Sequence, residues 1–130
     1  MSTIRVDNFG PSAGGTTYSA RGIAKAWVNF NGTGTIAARD SENVSSLTDN
    51  GTGDYTVNFS SAFGAADYVA TGQTNSASGT VALGGLANYR DGSNVLTVPA
   101  AAGWRSRWGD GVGNIFDPDI AMTICHGDLA

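Results

Sequence analysis

The chain has 130 residues, a formal net charge of −4 and 14% charged residues, a length suited to one domain around one core. Nineteen glycines, a single glutamate (Glu42) and abundant Thr, Ser and Asn disfavour helix and favour strands joined by tight turns, which is an all-β composition. Scattered basic residues exclude a nucleic-acid surface, a lone cysteine (Cys125) excludes an internal disulfide framework or a Cys-rich zinc site, and no apolar run reaches the length of a membrane span.

Residues 1–21 carry few large apolar side chains (Ile4, Val6, Phe9, Tyr18) beside Gly-Pro and Gly-Gly. This stretch reads as an amino-terminal arm that gains order by docking on a partner. It lacks the apolar stretch of a signal peptide, so synthesis in a cytoplasm without Sec export is expected. Four Asn-X-Ser/Thr sequons, at Asn31, Asn43, Asn50 and Asn58, then read as turn chemistry rather than glycan acceptors.

The pattern changes at Gly22, where a β domain spanning 22–130 is expected to begin. Ala26, Val28 and Phe30 alternate against Trp27, and the NGTG at residues 31–34 turns the chain into a second strand at 35–39. In residues 43–48 Val44 and Leu47 fall out of alternation, which predicts a short strand with a bulge. A second NGTG at 50–53 leads into residues 54–59, where Tyr55, Val57 and Phe59 share one face. In both copies the Asn-Gly pair is expected to supply the positive φ of a hairpin turn.

Further strands are predicted at 68–71, 80–86 and 94–98, a spacing that argues for a sandwich or barrel. Residues 100–119 have no clean period and read as a long ordered loop. Residues 120–126 set Ile120, Met122 and Ile124 against Ala121, Thr123 and Cys125, so this strand can be buried on both faces. The fold class is therefore all-β, an antiparallel sandwich, and the doubly apolar strands predict self-association as a homotrimer.

No catalytic set emerges. The only histidine, His126, follows Cys125 directly, and adjacent strand residues point to opposite faces, so the two cannot form a dyad. The dispersed aspartates offer no pair for glycoside hydrolysis, and the glycine-rich stretches lack the helix of a phosphate loop. Asp110, Asn114, Asp117 and Asp119 are spaced like calcium ligands but match no EF-hand, so no metal or other cofactor is assigned. One constellation stands out: Trp104, Arg105, Arg107 and Trp108 lie within five residues, and Trp and Arg dominate binding hot spots. They form the candidate ligand-binding set; in the alternative, both indoles plug the core while the arginines reach solvent.

The stretch "GIAKAWVNFNGTGTIAARDSENVSSLTDNGTGDYTVNF", followed by Phe63 and "ADYVATG", resembles a module common in short tail-fibre and other virion proteins of tailed bacteriophages. The opening "MSTIRVDNF" and the closing "DPDIAMTICHGD" are similar to segments of the same group, although Cys125 and His126 replace a more usual apolar and aromatic pair. Residues 73–118 carry no such likeness. The resemblance implies a jelly-roll-like β-sandwich, a trimer on a virion, and a role in receptor contact or decoration. Expected partners are further copies of the chain, other virion proteins held through the arm, and a host-surface glycan. The alternative is a capsid decoration or tail-assembly protein with a purely architectural role.

Overall fold

The computed structural model describes residues 8–9, 18–19, 23–75, 87–88, 100–109 and 115–130. The expected strands at 80–86 and 94–98, and most of the expected arm, lie outside these residues. Within the arm, β1 (Asn8–Phe9) pairs antiparallel with β2 (Tyr18–Ser19). The remaining strands are β3 (Ala26–Asn31), β4 (Ala37–Glu42), β5 (Val44–Gly51), β6 (Asp54–Phe59), β7 (Val69–Thr74), β8 (Ala87–Asn88), β9 (Gly103–Arg107) and β10 (Ala121–His126).

These eight form two four-stranded antiparallel sheets, β4-β3-β10-β7 and β5-β6-β9-β8, and the described residues contain no helix. The inward faces follow from strict alternation. Ala26, Val28 and Phe30 of β3 and Ala121, Thr123 and Cys125 of β10 are buried from the first sheet; Tyr55, Val57 and Phe59 of β6 and Trp104 and Ser106 of β9 are buried from the second. Trp108, just past β9, completes the core.

Aromatic rings join the sheets at both ends of β6. Phe30 meets Tyr55 edge to face at 5.2 Å and Trp108 at 6.4 Å. At the other end Phe59, Phe63 and Tyr68 cluster, with Phe63 stacked on Tyr68 at 4.4 Å. Such ring pairs add about 0.5 to 1.5 kcal/mol beyond their buried area. The Tyr68 hydroxyl lies within reach of two carbonyls, Gly103 O at the start of β9 at 3.0 Å and Ala100 O in the turn before it at 3.2 Å, so its polar end is satisfied within the packing.

Three expectations are refined. The predicted bulge in β5 exists: the register with β6 shifts between Val44 and Ser46, so Val44 and Leu47 both pack against the core despite odd spacing. The long loop expected at 100–119 instead contains β9, a central strand of the second sheet. Its inward positions are Trp104 and Ser106, continued just beyond the strand by Trp108, and its outward ones Arg105 and Arg107, an alternation hidden by the serine. Finally, Asn-Gly supplies a positive φ in one NGTG copy and not in the other. The first copy departs from the expectation, since there only the second glycine, Gly34, has a positive φ (63°); in the second copy Gly51 of the Asn-Gly pair does, at φ 125°, together with Gly53 at 63°, while Asn31 and Asn50 remain in strands. Gly53 has a second constraint, because a Cβ there would lie 2.6 Å from the Trp108 carbonyl oxygen.

Candidate functional site

The four residues singled out in the sequence do come together, on β9 and its exit, but alternation splits them. Trp104 is 3% exposed and Trp108 is fully buried, so neither indole projects as a contact surface. For the two indoles the geometry is that of the alternative, with both filling the core. The buried Trp108 Nε1 donates to Ser106 Oγ at 3.0 Å, which satisfies the indole inside the core.

Arg105 and Arg107 face outward from the second sheet. Arg105 makes a two-pronged contact with Asp54, Nε to Oδ1 and Nη2 to Oδ2, both at 2.8 Å. This geometry holds the guanidinium flat against β6. Around it lies a polar ladder on the same face. Asn58 Nδ2 donates to Ser46 Oγ and Thr48 Oγ1, each at 3.1 Å, and Asn50 Nδ2 donates to Thr56 Oγ1 at 2.9 Å. The cross-strand pairs Thr48 with Thr56, Ser46 with Asn58 and Thr56 with Arg105 put these groups side by side. Hydroxyls, carboxamides and guanidiniums on one sheet face offer donors and acceptors suited to a polyhydroxylated ligand.

The outer face of the first sheet has the opposite character. Ile120, Met122 and Ile124 are 38%, 40% and 42% exposed, and Val69 on the neighbouring strand is 67% exposed. Trp27 lies directly across from Ile124 on β3. The bulky face of β10 therefore points to solvent, and the small face, Ala121, Thr123 and Cys125, points into the core. Asp40 and Glu42 of β4 border this apolar stripe opposite Asn29 and Trp27.

Two further features were not legible beforehand. Asn43, with φ 54°, is the single residue that carries the chain from β4 in one sheet to β5 in the other. Its carboxamide grips the loop after β6, donating to Ser61 O at 3.0 Å and accepting from Ser61 N at 2.7 Å. At the far end, Asp117 Oδ1 accepts from Gly53 N and lies within reach of the Tyr55 hydroxyl, both at 2.7 Å. Burial first, then this hydrogen bond and the charges of Asp117, Asp49 and Asp54, push the Tyr55 phenol well above its ordinary range.

Of the acidic residues considered for a cation, Asp117 is thus engaged with the core and Asp119 accepts from Thr33 Oγ1 at 3.3 Å, while Asp110 and Asn114 lie outside the described residues. Among the described residues no three Asp, Glu, His or Cys side chains group as metal ligands. Cys125 is buried against the core, and burial pushes its thiol up to about 12, which keeps it protonated and unreactive; His126 points to the other face of β10. No protein-family model, curated protein or solved structure matches the chain.

Proposed function

We propose that the chain is a structural protein of a bacteriophage virion, a tail-fibre or spike-like module that assembles as a homotrimer and contacts a glycan on the host surface. The sequence resemblance over residues 22–72 suggests the particle, and the contrast between the two outer faces carries the assembly. One sheet offers an apolar stripe (Ile120, Met122, Ile124, Val69) for packing against another copy; the other offers a hydrogen-bonding face centred on Arg105 and Arg107 that stays in water. In this reading the glycan contacts that polar face through Arg105 and Arg107, with the indoles of Trp104 and Trp108 beneath it as support. For the architecture we propose a jelly-roll-like sandwich in the broad sense of two four-stranded sheets whose opening and closing strands, β3 and β10, are neighbours.

A second reading has its own observation. Burial of both indoles removes the aromatic platform on which sugars stack, which favours a purely architectural role in capsid decoration or tail assembly. Antibody labelling of intact particles together with binding of purified protein to host cells separates the two. Label at the tail tip and cell binding competed by host polysaccharide support receptor contact; copy number matching the capsid protein, without cell binding, supports decoration. Absence of the protein from particles overturns both.

A further inference from the structure

The two NGTG copies place chemically identical Asn-Gly pairs in opposite environments. Asn31 has its carboxamide held at both ends: Nδ2 donates to Thr33 O at 2.7 Å, and Oδ1 accepts from Thr33 Oγ1 at 2.8 Å and Thr33 N at 3.3 Å. The next residue, Gly32, is buried, and its N–H donates to Pro118 O at 2.8 Å. Asn50 is exposed and occupies the register shift between Asp49 and Gly51, opposite no residue of β6. Gly51, also exposed, has φ 125° with open space around the position of a Cβ, and its N–H donates to Asp49 Oδ1 at 2.9 Å. An exposed Asn followed by an unhindered Gly is the arrangement in which the backbone nitrogen can reach the side-chain carbonyl carbon.

We propose that Asn50 is a site of spontaneous deamidation, with Asp49 as the internal base, and that Asn31 is protected from the same reaction by the fold. The Gly51 N–H passes its proton to the Asp49 carboxylate, the nitrogen attacks Asn50 Cγ, and the Cγ–Nδ2 bond breaks. Ammonia leaves with the proton returned by Asp49, and a five-membered succinimide remains. Water then opens the ring at either carbonyl, giving aspartate or isoaspartate. Asp49 meets the first requirement of a base, hydrogen-bond contact with the proton to be removed. The product is a charge change on the polar face. Asn50 Nδ2 now lies 2.9 Å from Thr56 Oγ1 and 3.4 Å from Asp54 Oδ1; a carboxylate in its place cannot donate to either and stands beside the Asp54 carboxylate that Arg105 holds. The isoaspartate form also lengthens the backbone within the bulge.

The test is timed incubation of the folded protein at mildly alkaline pH, followed by peptide mapping with enzymatic detection of isoaspartate at each Asn-Gly. Asn50 converts while Asn31 stays intact; in urea-unfolded protein both convert at similar rates. Asp49→Ala, checked for an unchanged strand spectrum, slows conversion of Asn50 by about tenfold or more if the carboxylate acts as the base. Conversion of Asn31 alongside Asn50 in the folded protein, or slower conversion of Asn50 in the folded than in the unfolded chain, overturns the proposal. An unchanged rate in Asp49→Ala overturns the role of Asp49.

Discussion

Ser106 Oγ sits between two core groups, accepting from Trp108 Nε1 at 3.0 Å and lying 3.3 Å from the Tyr55 carbonyl oxygen to which it donates. One small hydroxyl thereby satisfies an indole N–H just past its own strand and ties β9 to β6. Removal of either partner leaves a buried polar group unmatched. Trp108→Ala is expected to cost about 3 to 5 kcal/mol, and Trp108→Phe, which keeps a ring but not the donor, about 1 to 3 kcal/mol. Chemical denaturation checks both, and an unchanged midpoint for Trp108→Ala would place the indole outside the core.

Asn43 is expected to be the most sensitive connection residue. Its φ of 54° is costly for a residue with a Cβ other than Asn or Asp, and its two bonds to Ser61 hold the corner between the sheets. Asn43→Ala should destabilise by about 1 to 3 kcal/mol, whereas Asn43→Gly, which keeps the backbone freedom and loses only the carboxamide, should cost less. Equal midpoints for the two variants would show that the conformation carries no strain.

Hydrophobic alternation made β3, β6 and β10 legible, because a strand with one face in the core must place large side chains at every second position. β9 escaped because its inward positions include Ser106, whose role is to satisfy Trp108 rather than to fill space, and because arginines beside tryptophans resemble a surface cluster. The direction of β10 was also hidden. Its residues read as a strand buried on both faces, yet the space between the sheets is already filled by Phe30, Tyr55, Trp104 and Trp108, so only Ala121, Thr123 and Cys125 fit there and Met122 and Ile124 are left exposed. Which face of a strand is inside depends on what the opposing sheet contributes, and that information is distant in the chain. The pairing of Arg105 with Asp54 was invisible for the same reason: the two residues meet only because β6 and β9 are neighbours.

That pair yields another prediction. Asp54 has only 10% of its side chain exposed and Arg105 34%, so the contact is screened on one side and desolvated on the other. Arg105→Ala should destabilise by about 1 to 2 kcal/mol, less than for a fully buried pair, with a smaller loss in high salt. Denaturation at low and high ionic strength checks this. An equal loss at both would assign the effect to packing of the side-chain stem.

Alkaline pH should unfold the protein through its buried acids. Cys125 has an ordinary value of 9.0 that burial raises to about 12, so the unfolded chain releases this proton first. Its contribution is fully present below pH 9 and is lost as pH rises toward 12, with a slope of about 1.4 kcal/mol per pH unit for one group. Tyr55 and Tyr68, both raised chiefly by burial from an ordinary 10.0, add to the loss at higher pH. Urea midpoints measured from below pH 9 upward should fall in the wild type and fall less steeply in Cys125→Ala. Identical slopes would mean that the thiol ionises as easily in the fold as outside it.

The apolar stripe on β10 is where self-association is expected to be decided. Ile124 lies across from Trp27 on one side and Thr71 on the other, and Met122 lies across from Asn29 and Gln73, so these two side chains form the middle of the exposed face. Both point away from the core, which means that a charge there disturbs no internal packing and should change the stability of the isolated fold by only about 0.5 kcal/mol or less. A charge buried between two copies is a different matter, because it must be stripped of water without a partner. Ile124→Glu, alone or with Met122→Lys, should therefore convert a trimer to a folded monomer, read by light scattering alongside the strand spectrum. If the wild type is already monomeric at micromolar concentration, or the variant keeps the wild-type mass, this face is not the contact between copies.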